Sequence, residues 1–107
     1  MFKVENDTIW LTRGDTAEFR PIIEGYEAQE GDKVVFSMKK ALNDDEPILK
    51  IETDLGENIV FTNESTNKLP SGSYVYDLRI NTVDGNISTF VNGETLYLLG
   101  DVDNARD

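Results

Sequence analysis

The chain has 107 residues, and its 21 Asp plus Glu against 10 Lys plus Arg give a net charge of -11. It contains no histidine and no cysteine, so disulfides, Cys/His zinc sites, thiol catalysis and Ser-His-Asp triads all lack an essential residue. The acidic surplus is repelled by phosphate backbones and anionic lipid, which disfavours nucleic-acid and membrane-surface partners.

Residues 1–7 carry no apolar stretch resembling a signal peptide, and no window of the chain approaches the roughly 18–20 apolar residues of a membrane span, so a soluble protein is expected. Thr8 to Leu11 is a short β-prone run, closed by the turn formers Thr12 to Asp15. Within that turn, Arg13-Gly14-Asp15 matches an adhesion tripeptide, but it reads more simply as a glycine turn between solvated charges. Ala17 to Ile23 alternates, and Pro21 inside it implies an edge position or a bulge. An acidic loop, Gly25 to Asp32, leads into Lys33–Lys39, where Val34, Phe36 and Met38 share one face. After the polar stretch 41–47 come two further strand signals, Ile48 to Thr53 and Asn58 to Thr62. Asn63 to Leu69 has no two-residue period, and Ser65 or Thr66 could cap one helical turn. Ser73 to Thr82 is the clearest strand. Asp84-Gly85 reads as a type I′ turn returning into Ile87 to Val91. Asn92-Gly93 favours a bulge in one long final strand, because a third hairpin would have very short arms. An acidic tail, 103–107, follows.

Short strands at this turn-punctuated spacing argue for an all-β sandwich or barrel in one domain. The most specific local signal is Leu69 to Tyr76. A turn containing Gly72, then Tyr74 at a strand start, then a large inward residue at Tyr76, matches the tyrosine corner of immunoglobulin-like sandwiches. The competing reading makes Tyr74 an ordinary core aromatic. The expected fold is therefore an immunoglobulin-like antiparallel β-sandwich of about 7–9 short strands. It would span 1–107 as a single domain, with a core over about 8–102.

No residue stands out as catalytic, cofactor-binding or metal-ligating. The acidic groups Asp44-Asp45-Glu46, Asp84-Gly85-Asn86 and Asp101 with Asp103 lack the spacing of a calcium loop. Trp10 and Tyr26 fall outside the regular core spacing and are candidate contact residues. The final strand is apolar on both faces. Tyr97 and Leu99 are accordingly candidates for a subunit contact, by strand addition; the alternative is cover on both sides within the same chain.

Taken together, Leu11 to Thr16, Glu30 to Lys39, Leu69 to Asp77 and the Asp84-Gly85 hairpin resemble a known series. It is that of the small Ig-like β-sandwich domains encoded by phages and prophages of Gram-positive bacteria. The chain is similar in plan to the N-terminal domain of baseplate upper proteins. The resemblance implies a non-enzymatic structural or assembly module of a phage or prophage particle, in a baseplate, tail or head accessory. Its partners would be other protein subunits, as a homo-oligomer or with virion components, and it implies no cofactor. Synthesis in the bacterial cytoplasm and incorporation into a virion follow from the same likeness. The alternative is a carbohydrate- or ion-binding accessory domain of a bacterial protein. An exposed cleft with Trp10 or Tyr26 beside acidic side chains would favour it.

Overall fold

The structure, a computed structural model, describes residues 1–100; the acidic tail 103–107 and the Asp101/Asp103 pair lie outside them. Of the described residues 51% are strand and 4% helix, so the architecture is mostly β, the class expected. In chain order the elements are β1 (Phe2–Glu5), β2 (Thr8–Thr12), β3 (Ala17–Phe19), β4 (Lys33–Lys39) and β5 (Leu49–Asp54). They continue with β6 (Ile59–Phe61), α1 (Asn63–Thr66), β7 (Gly72–Asn81) and β8 (Ile87–Leu99). A curled sheet of six strands runs β1-β2-β8-β7-β4-β5, and β3 pairs with β6 in a separate two-stranded sheet. The large sheet is mixed rather than wholly antiparallel, because β2 lies parallel to β8.

Alternation puts the core on one face of that sheet. Ile9 and Leu11 of β2, Leu96 and Leu98 of β8, Tyr74, Tyr76 and Leu78 of β7, and Val34, Phe36 and Met38 of β4 are all buried there. From the small sheet, Phe61 meets Phe36 edge-on at 5.2 Å, while Phe36 stacks on Tyr76 at 5.4 Å. Phe2 and Phe19 close the same cluster against Phe61. Phe36 and Phe61 are fully buried, so truncating either to alanine would cost roughly 3–5 kcal/mol.

Several local elements differ from the sequence reading. The sheet begins at Phe2, upstream of residue 8, because Asn6 and Asp7 both adopt positive φ (50° and 65°). That is the backbone of a two-residue type I′ hairpin, and it sets Glu5 opposite Thr8. β3 stops at Phe19, two residues before Pro21, which cannot donate to a ladder. The helical turn is capped by Thr62, whose amide donates to Ser65 Oγ at 3.0 Å, and not by Ser65 or Thr66. Thr66 is buried and instead accepts from the Gly14 amide at 2.8 Å, docking α1 on the turn after β2.

Asp84-Gly85 does not form a type I′ turn, which would need positive φ at both residues. Only Gly85 has it, at 92°. The Gly85 amide donates to the Thr82 carbonyl at 3.0 Å and the Thr82 amide to the Asn86 carbonyl at 2.8 Å, a hairpin loop with one left-handed glycine. The Thr82 hydroxyl accepts from the Asn86 amide at 2.9 Å, which favours this longer loop.

β8 is one strand with irregular pairing, in line with the bulge reading of Asn92-Gly93. Tyr76 faces Glu94 while Leu78 faces Val91, so Asp77 opposes both Asn92 and Gly93. Asp77 Oδ1 accepts from the Gly93 amide at 2.8 Å, giving the displaced backbone a partner. A second shift, between Leu78 and Arg79, leaves Phe90 as the extra residue. Phe90 and Val91 consequently both pack against the core although they are adjacent in sequence.

Candidate functional site

The β1–β2 hairpin and the parallel β2–β8 pair align four residues on the outer face of the large sheet. Lys3 lies opposite Trp10, Trp10 opposite Tyr97 and Tyr97 opposite Ser73. The Trp10 and Tyr97 rings stack with centroids 5.9 Å apart and planes inclined by 25°. Lys3 Nζ sits 5.2 Å from the Trp10 ring centre, on a cation–π contact, and 3.4 Å from Glu5 Oε2. Ser73 is too short to cover the remaining face of Tyr97, and Tyr97 stays 40% exposed. Leu99, two positions on from Tyr97, shares this face and is half-buried opposite Thr12.

Strand addition at Tyr97 is ruled out by the pairing, and Leu99 is already paired with Thr12 on its β2 side. β8 is hydrogen-bonded to β2 on one side and β7 on the other, so residues 96–98 have no free edge. Two inner leucines, Leu96 and Leu98, explain half of the surplus hydrophobicity there, and the stack on Trp10 explains Tyr97.

Tyr26 belongs to a different cluster. It is half-buried in the loop between β3 and β4, and its hydroxyl donates to Asp32 Oδ2 at 2.6 Å. Asp32, only 2% exposed, also accepts from the Gln29 amide at 2.8 Å and the Val83 amide at 2.9 Å. These donors, the Tyr26 hydroxyl foremost, hold the Asp32 carboxyl below its ordinary value. The same bond, with burial and the Asp32 charge, pushes the Tyr26 phenol up to about 12.

At the other end of β7, Gly72 pairs with Leu98, and the Tyr74 hydroxyl donates to the Pro70 carbonyl four residues upstream. Tyr76 sends its hydroxyl to the Asp7 carbonyl, fastening β7 to the first hairpin. Burial, with the Asp7 and Glu94 carboxylates nearby, raises the Tyr76 pKa.

A cleft of about 680 Å³ opens between the coil that continues β3 and the inner face of β7 and β8. Phe19, Tyr76, Leu78, Phe90 and Val91 contribute its apolar wall, with Asp7, Arg20 and Glu24 also lining it. Neither Trp10 nor Tyr26 lines it.

The adhesion tripeptide is not presented as one. Arg13 is 6% exposed, with Nη1 3.4 Å from the Leu69 carbonyl. Among the described residues no three acidic side chains gather in a way that could hold a metal ion. Asp44 Oδ2 instead accepts from the Ala41 amide at 3.0 Å, and Asp84 accepts from the Thr82 hydroxyl. No helix among the described residues is long and apolar enough to cross a membrane.

Lys3, Asp32 and the cleft as a site do not stand out in the sequence, although two cleft residues, Pro21 and Tyr76, carry structural signals there. For Lys3 the signal exists: Asn6-Asp7 suits a two-residue hairpin, and folding about it places Lys3 opposite Trp10. Asp32 carries no such signal, since its donors come from Tyr26, Gln29 and the distant Val83. Comparison with protein-family models, with curated proteins and with solved structures found no match for this chain.

Proposed function

We propose that the chain is a non-enzymatic interaction module, built on an immunoglobulin-like plan and serving assembly in a phage or prophage particle. Strand order supports the plan. The run β8-β7-β4-β5 reads as G-F-C-C′ of a variable-type domain and β3-β6 as B-E, with Tyr74 at the opening of F, where a tyrosine corner sits. The phage setting rests on the sequence resemblance.

The Lys3–Trp10–Tyr97 row carries the interaction reading. Trp and Tyr are the residues most often found to dominate protein interfaces, and here they are held in register by three paired strands. A rigid aromatic strip loses little conformational freedom on contact. The partner would be a protein subunit, another copy or a virion component.

Light scattering at micromolar concentration and mass spectrometry of purified particles test this reading. Association, or presence in the particle, should be lost in Tyr97→Asp when measured where both proteins are folded, well below the lower thermal midpoint expected once the Trp10–Tyr97 stack is gone. A strict monomer that is absent from particles, or association indifferent to Tyr97→Asp, overturns it.

A further inference from the structure

The second sheet has only two strands of three residues each, and the cleft opens beside its unpaired continuation. After Phe19 the chain runs through Arg20 to Glu24 along the cleft wall without joining a sheet. The Ile22, Ile23 and Glu24 amides find no acceptor among the described residues. Ile22 is 86% exposed, a large apolar side chain beside a groove already lined by Phe19, Leu78, Phe90 and Val91. Unpaired backbone next to an apolar groove is the arrangement that accepts an added strand: main-chain hydrogen bonds supply affinity, and alternate side chains fill the groove.

The charges select the occupant. Asp7 and Glu24 line the cleft, and Glu94 on β8 is the cross-strand partner of the cleft-lining Tyr76, against one guanidinium from Arg20. An acidic segment is repelled by these carboxylates. A partner segment with apolar residues at alternate positions and Lys or Arg at its ends is complementary.

We propose that the 680 Å³ cleft, with the unpaired stretch Arg20–Glu24 as its edge, receives an extended, basic-ended segment of a partner protein by strand addition. This rests on reading the chain as an interaction module, but it uses the opposite face of the sheet from the Trp10–Tyr97 row.

The test titrates the full chain with a capped peptide, Lys-Val-Thr-Val-Thr-Val-Lys, and with the same peptide bearing Glu at both ends. Backbone NMR shifts and amide hydrogen exchange are the readouts. The lysine peptide should saturate, with shifts confined to 18–24, 76–78 and 90–91 and with slowed exchange at Ile22 to Glu24. The glutamate peptide should bind at least about tenfold more weakly, equivalent to about 1.4 kcal/mol. Asp7→Asn with Glu24→Gln should narrow that gap; asparagine keeps the left-handed turn conformation at position 7. No saturable shift with either peptide, shifts without slowed exchange, or equal binding of both peptides overturns the proposal. A null titration beside Tyr97-dependent association removes the groove alone. Peptide binding beside association indifferent to Tyr97→Asp removes the outer-face reading alone.

Discussion

The Tyr26 hydroxyl and the Asp32 carboxylate, 2.6 Å apart, join the long β3–β4 loop to the base of β4, and Asp32 reaches on to the Val83 amide. One carboxylate thus fastens the 25–32 loop to the β7–β8 hairpin. Its effect should depend on pH at both ends of the scale. Asp32 titrates below its ordinary 3.8 in the fold, so its contribution is complete above that value and is lost as pH falls through the lower native one. Tyr26 titrates above its ordinary 10, so its contribution is complete below pH 10 and is lost as pH rises through about 12.

Thermal midpoints measured against pH for the parent, Asp32→Asn and Tyr26→Phe check this. The parent should lead Asp32→Asn at neutral pH, with the lead shrinking in acid beneath the ordinary carboxyl range. Its lead over Tyr26→Phe should shrink above pH 10 and vanish past about 12. A parent-minus-variant difference that is flat across both limbs would show that the clamp contributes nothing to folding.

Tyr74→Phe isolates the bond to the Pro70 carbonyl, because the ring keeps its place in the core. The expected loss is about 1 kcal/mol, seen as a lower urea midpoint at unchanged slope. Pro70 itself is exposed, so water can replace the lost donor and a much larger loss is not expected. An unmoved midpoint would reduce Tyr74 to a core aromatic with no pinning role.

Gly93 holds positive φ (70°), and a Cβ there would lie 3.2 Å from Leu42 Cδ1. Gly93→Ala should therefore cost about 1–2 kcal/mol in left-handed strain, plus whatever displacing Leu42 requires. Leu42 is 63% exposed and can move, so the steric part should be small and should disappear in a Leu42→Ala background. Gly93→Asn should cost less than Gly93→Ala, since asparagine tolerates this conformation. Denaturation of the four variants decides it; equal costs for Ala and Asn would show that backbone conformation is not the limiting factor.

Strand positions with strict alternation were legible: Tyr74, Tyr76, Leu78 and Ile80 face one way, and all four are buried. The bulge at Asn92-Gly93 was legible because the flanking arms are too short for a hairpin. What escaped depends on non-local pairing. Nothing near Trp10 announces that β2 will lie parallel to β8, since the two are separated by nearly the whole chain. A final strand apolar on both faces suggests either strand addition at Tyr97 or cover within the chain, and only the distant β2 partner decides for cover. The cleft was invisible for a related reason. The alternation of 17–23 reads as one strand, but pairing ends at Phe19, before Pro21, and the bulges turn Phe90 and Val91 inward opposite it.

Lys3, Trp10 and Tyr97 form a row whose two contacts share the Trp10 ring, so a mutant cycle can separate row from residue. The Lys3 side chain is 57% exposed, which keeps its cation–π contribution near about 0.5–1 kcal/mol. The aromatic pair should contribute about 0.5–1.5 kcal/mol beyond its buried area. Lys3→Ala and Tyr97→Ala should each destabilise the parent, and each should become nearly neutral once Trp10 is replaced by alanine. Trp10 is the one tryptophan of the chain, so its fluorescence reports on this row without interference. Emission should shift in Tyr97→Ala, which uncovers one ring face, and stay unchanged in Tyr26→Phe, which lies in the other cluster. Full-size effects of Lys3→Ala and Tyr97→Ala in the Trp10→Ala background would mean that the row is three separate residues and no platform.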